Sequence, residues 1–110
     1  MSSRPSQGEL RTRVVLEAAD DSTDDTGALV RVWRPVASIW AKLSPRRGAE
    51  RFVAGAQESV LTSEVVVRWR ADVASPMRLR IGSRALMIRA AFDPDGARRF
   101  LVCVCEEFAA

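Results

Sequence analysis

Residues 77–92 read MRLRIGSRALMIRAAF, and this stretch decides the fold. Met77, Leu79 and Ile81 alternate with Arg78 and Arg80, the two-residue period of a half-buried strand. Gly82-Ser83 follows, and glycine at the first central position is the signature of a type II′ hairpin turn. Leu86, Ile88, Ala90 and Phe92 then resume the extended pattern. Two such runs joined by two residues form an antiparallel hairpin.

The pattern continues in both directions. Asp93-Pro94-Asp95-Gly96 is a turn, with Asp first, Pro second and Gly fourth, as a type I turn prefers. Phe100 to Cys105 is a last strand, apolar on both faces, so it needs cover on both sides. Upstream, Leu61, Ser63, Val65, Val67 and Trp69 alternate with Thr62, Glu64, Val66, Arg68 and Arg70. Ala71 to Pro76 reads as a loop. Leu10, Thr12, Val14 and Leu16 form a first strand, and Ala28 to Leu43 a second, bent at Pro35, which cannot donate to a ladder. Asp20 to Gly27 between them reads as a polar loop. Ser44-Pro45 suits a helix N-cap and first helical position, and Ala49, Phe52, Val53 and Ala56 follow at helical spacing. Gly48 and Gly55 weaken that helix, so a short one is expected inside a long connection. The reading is mainly β: about six antiparallel strands closing a small barrel, with one short helix between the second and third. Residues 1–9 are expected to be a flexible arm and residues 10–110 a single domain.

Composition narrows the chemistry. The chain has 110 residues, a formal net charge of +3 and no histidine. Ser-His-Asp and Cys-His nucleophile systems are therefore impossible. There is no phosphate-binding G-x-x-x-x-G-K-[ST] loop and no G-x-G-x-x-G. Asp20, Asp21, Asp24 and Asp25 lack the register of a calcium loop and read as a solvated turn. Cys103 and Cys105 stand in a C-x-C too close for a good disulfide and too sparse for a zinc site, so they read as packed thiols. Nothing points to catalysis, a metal or a cofactor. No apolar run approaches the length of a membrane span, and residues 1–10 do not read as a signal peptide. Lys42 is the only lysine beside many arginines. A GC-rich genome explains that bias, and so does arginine's fitness for carboxylate and phosphate pairing at interfaces.

The order of residues resembles the phage head–tail joining proteins, also called head closure or stopper proteins, of tailed phages and phage-derived gene transfer particles. The resemblance runs from about Leu10 to Glu106. It opens with Leu10, Arg13, Val14 and Leu16, then an acidic loop ending in Gly27 and a strand with Trp33. Its most specific part is W-A-x-L-x-P-x-x-G-x-E at Trp40, Ala41, Leu43, Pro45, Gly48 and Glu50, continued by Ala54 and Gln57. Thr62, Val66, Arg68, Arg78, Gly82, Ile88, Asp93, Leu101, Cys103 and Glu106 complete it. Glu64 departs from the pattern near where many relatives carry histidine.

The resemblance implies a β-barrel whose long connection, here about Ser44 to Val60, follows the second strand. It implies a homo-oligomeric ring in the particle neck, between a portal or adaptor protein and a tail terminator. Packaged double-stranded DNA passes through the channel and is retained by the ring. It implies assembly in the bacterial cytoplasm, no membrane and no catalysis. From another class, a free nucleic-acid-binding barrel resembling an OB-fold remains open.

Site expectations follow. Arg46, Arg47, Glu50, Arg51 and Gln57 are candidates for contact with the channel or a neighbour. Asp20, Asp21, Asp24, Asp25, Arg68, Arg70, Arg78 and Arg80 are candidates for a subunit interface; a solvated face is the plain alternative for both sets. Trp33, Trp40 and Trp69 beside Val and Ile read as core rather than as stacking platforms.

Overall fold

Alternating strands need partners for their backbone groups, and every strand among the described residues finds them in one sheet. The computed structural model describes residues 9–44, 47–53, 55–74 and 76–108. Among them are seven strands: β1 (Thr12–Thr23), β2 (Leu29–Leu43), β3 (Arg47–Val53), β4 (Ala56–Arg68), β5 (Met77–Ile81), β6 (Arg84–Phe92) and β7 (Phe100–Phe108). All pair antiparallel, in the order β2-β1-β5-β6-β7-β4-β3. Ala41–Leu43 of β2 also pairs with Val65–Val67 of β4, which closes six of the strands into a ring. Closure removes most of the exposed sheet edge, the usual solution for a small all-β domain.

The inward positions are those the alternation selects. Val14 and Leu16, Ala41, Val65 and Val67, Leu79, Leu86 and Ile88, and Leu101, Cys103 and Cys105 form one buried cluster, completed by Val73 from the β4–β5 loop. Burying side chains of this size stabilises by about 1.5–3 kcal/mol each for the larger ones. Gly82 has φ 58° while Ser83 is not at positive φ, as a type II′ turn requires. The Asp93 carboxylate accepts from the backbone N–H of Gly96 at 3.0 Å and of Arg98 at 2.8 Å, which holds the β6–β7 turn. Pro35 sits where β2 skips a residue: Ala37 faces Leu16 and Pro35 faces Glu17, leaving Val36 unpaired. The bend expected there is a β-bulge.

Two expectations are corrected. Among the described residues after Ser44 there is no helix; they form the β3–β4 hairpin, with Val53 facing Ala56 and Arg47 facing Thr62. Gly55, at φ 80°, supplies a turn that residues with a β-carbon resist. The apolar spacing that suggests a helix is also met by a short strand, and β4 is long enough to offer it a ladder. Ser44 is a clamp rather than a cap: its N–H donates to Glu64 O at 3.0 Å, and its Oγ accepts from Glu64 N–H at 2.8 Å. Second, β1 continues through the acidic segment to Thr23, so only Asp24–Ala28 forms the turn. The β1–β2 hairpin therefore extends beyond the barrel as a two-stranded ribbon, and the long axis of the molecule measures 48 Å. Of the proposed N-terminal arm, residues 1–8 lie outside the described residues; Glu9 pairs with Lys42 at 2.7 Å.

Candidate functional site

No group of three or more potential ligands gathers in a metal-binding cluster among the described residues, and no helix is long and apolar enough to cross a membrane. The described charged side chains and the Trp33 and Trp40 rings gather on the outside of the sheet. Four surfaces follow from the strand register.

The first is the ribbon tip. Asp24 Oδ1 accepts from the Thr26 hydroxyl at 2.6 Å and from the N–H groups of Thr26 and Ala28, each at 2.9 Å. These bonds, the hydroxyl first, hold the Asp24 carboxyl below its usual range. Asp21 pairs with Arg31 at 2.7 Å and Asp20 with Arg34 at 2.9 Å. Asp25 has no hydrogen bond or ion pair among the described residues. Leu29 is 68% exposed beside the tip, and Val30 and Val32 are exposed next to it.

The second lies on the outer face of β1 and β5. Glu17 is only 5% exposed, although its register points it outward. Arg78 donates to it at 2.6 Å and Arg80 at 3.1 Å. Burial pushes the Glu17 carboxyl up, but the two arginines outweigh it and hold the pKa below its ordinary value. The Arg78 guanidinium also lies over the Trp33 ring at 4.4 Å. Two of the expected interface arginines are thus spent inside the subunit. Arg70 is likewise paired, with Asp72 at 2.9 Å.

The third is a groove at the seam where β2 meets β4. Trp40 faces Arg13 across the β1–β2 pair, and its ring carries the Arg13 guanidinium at 4.7 Å. Arg13 Nε also donates to Ser38 Oγ at 2.9 Å, which fixes the guanidinium over the ring. Leu10, Arg11, Trp40 and Arg68 line an open groove of about 580 Å³. Arg68, unlike Arg70, Arg78 and Arg80, has no hydrogen bond or ion pair among the described residues.

The fourth is the flank of the β3–β4 hairpin, where Ser44, Arg47, Glu64, Phe92 and Val104 border a second depression of about 520 Å³. Arg47 is exposed there. Arg46 and the side chains of Glu50, Arg51 and Gln57 lie outside the described residues. Phe92 is exposed and Val104 half-buried on the outer face of β6 and β7, so β7 is only partly covered within one subunit.

Core assignment of the tryptophans holds for Trp69, which packs against the buried cluster. It fails for Trp33, half-buried under Arg78, and for Trp40, which is 51% exposed. The register places both on the outer face, opposite Ala19 and Arg13. Glu17 and Arg13 escaped sequence reading because only pairing reveals their partners. Cys103 and Cys105 are free and buried, and burial raises their thiols to about 11 and about 12.

Comparison with known proteins gives these surfaces a setting. A chain from the virion of a native gene transfer agent particle is 27% identical; the match covers 96% of this chain and 98% of that one, with a TM-score of 0.76. The solution structure of a protein from Shigella flexneri 2a shares the fold at 23% identity, covering 92% of this chain and 95% of that one, with a TM-score of 0.62. No curated protein matches the chain. The sequence profile of the phage head completion proteins matches residues 5–107. With that profile matched over nearly its whole length, the chain belongs to the phage head completion protein family.

Proposed function

We propose that this protein is a head–tail connector: a ring of identical subunits in the neck of a tailed phage or gene transfer particle, beneath the portal or adaptor. The ring retains packaged double-stranded DNA and docks the tail terminator. The observation that supports this most is the match, over 96% of the chain, to a chain of a gene transfer agent virion. Family membership supports a structural role in completing the head.

The surfaces fit the reading. A ring subunit presents two different faces to its neighbours, a heterologous contact. The β3–β4 hairpin, with Arg47, Glu50, Arg51 and Gln57, takes the channel-facing or neighbour-facing role, and Arg46, which precedes it in sequence, remains a candidate for the same contact. A chain this small offers limited contact area, so the ring forms in the particle and the isolated protein is a monomer at micromolar concentration. Sedimentation of the purified protein checks this, and a stable ring without portal or tail contradicts it.

Deletion of the gene tests the function. Heads should fill with DNA, lose it, and carry no tails. Tailed, DNA-retaining particles made without this protein would contradict the connector role.

A further inference from the structure

Two complementary surfaces stand at opposite ends of the β1–β2 ribbon. The tip carries Asp25 without a partner among the described residues and the exposed Leu29. The groove at the start of β1 carries Arg68, also without a partner, and the exposed face of Trp40. Thr12 to Thr23 is one continuous strand, and at ~3.3 Å per residue the two surfaces stand roughly 35 Å apart. They cannot meet within one subunit.

We infer that the ribbon tip of one subunit docks in the Trp40–Arg68 groove of the next. This rests on the connector reading and names the contact that builds the ring. Charge and apolarity match together: Asp25 faces Arg68, and Leu29 covers the Trp40 ring. A carboxylate–guanidinium pair beside a tryptophan is a common core for a small interface. The other candidate arginines are already engaged, Arg70 by Asp72 and Arg78 and Arg80 by Glu17. The contact also explains the length of the ribbon. A two-stranded hairpin without a third strand is marginal in water, and docking supplies the missing packing. A tip that fits a distant groove on an identical chain makes a head-to-tail series, which closes into a ring when the rotation permits.

The test is a cysteine pair in assembled particles. Asp25→Cys with Arg68→Cys should give, with a thiol-specific bismaleimide long enough to span an aspartate–arginine pair, a ladder of covalent multimers; a direct disulfide needs the two backbones closer than such a pair holds them. Neither single variant should give one, and Cys103 and Cys105 are buried away from the reaction. Normal particles with no ladder would overturn the contact and leave the connector reading standing. A ladder from Asp25→Cys with Arg47→Cys instead would move the tip to the β3–β4 hairpin and overturn it. Photocrosslinking of Trp40 to packaged DNA, with no ladder, would give the groove to DNA and also overturn it. Should the cysteine pair prevent incorporation, charge exchange decides. Asp25→Arg and Arg68→Asp should each lower the yield of DNA-delivering particles on the order of ten-fold or more, and together restore it. Equal loss in the singles and the exchange overturns the contact. Loss of the connector reading itself would show differently, as particles that contain no ring of this chain.

Discussion

Glu17 Oε1 lies 2.6 Å from Arg78 Nε across the β1–β5 pair, and Arg78 in turn lies over the Trp33 ring at 4.4 Å. This one arginine ties β5 to the base of the β1–β2 ribbon on the outside of the barrel. Glu17→Gln leaves both arginines with a neutral partner and should destabilise the fold by about 1–3 kcal/mol, measured by denaturant unfolding. The arginines are partly exposed, which keeps the loss below that of a fully buried pair.

Acid should act through the same carboxylate. Its pKa is lowered in the folded state. The folded protein therefore binds fewer protons than the unfolded chain, and the stabilisation is present above the unfolded value of about 4.3. It is lost as pH falls from there through the folded pKa. Glu17→Gln should flatten this part of the stability–pH curve; an unchanged slope contradicts the assignment.

Gly48→Ala and Gly55→Ala separate a hairpin from a helix after Ser44. In a helix interior each exchange would stabilise by about 1 kcal/mol. In the β3–β4 hairpin Gly55 sits at φ 80°, so alanine there should destabilise by roughly 1 kcal/mol. A β-carbon at Gly48 meets Leu61 Cδ2 at an ordinary 3.7 Å and should be nearly neutral. Thermal unfolding of the two variants gives the answer.

Asp24→Ala should loosen the ribbon tip without unfolding the barrel. It removes the acceptor of three hydrogen bonds in one turn, far from the buried cluster. Amide exchange at Thr26 and Ala28 should quicken while exchange in β4 and β7 is unchanged.

Cys103 and Cys105 should resist thiol reagents at pH 8 until the protein unfolds. Their pKa values of about 11 and about 12 keep them protonated, and their burial blocks access. Rapid labelling under native conditions would contradict the placement of β7 in the core.

Alternation made the six ring strands and the Gly82-Ser83 turn legible in the sequence, because one face of each strand is buried and register follows burial. The seventh strand was not legible. Ala49, Phe52, Val53 and Ala56 satisfy a helical period as well as a short strand, and only pairing with β4 decides. The ribbon was shortened in reading because Asp20 and Asp21 look like loop residues. In the fold they are cross-strand partners of Arg34 and Arg31. Of the expected interface arginines, sequence alone gave no means to separate Arg68 from Arg70, Arg78 and Arg80. For Arg78 and Arg80 that sorting depends on Glu17, far away in the chain on β1; for Arg70 it depends on how the turn brings Asp72, two residues on, back to its guanidinium. Trp40 reads as core because it stands in a strand beside Ile39, yet the register turns it outward.

Electron cryo-microscopy of the particle neck tests the central claim most directly. The account predicts a ring of this chain, coaxial with the channel, between portal or adaptor and tail terminator, with each barrel fitting the density. Density that places the chain elsewhere in the particle, or a neck built without it, would contradict the account.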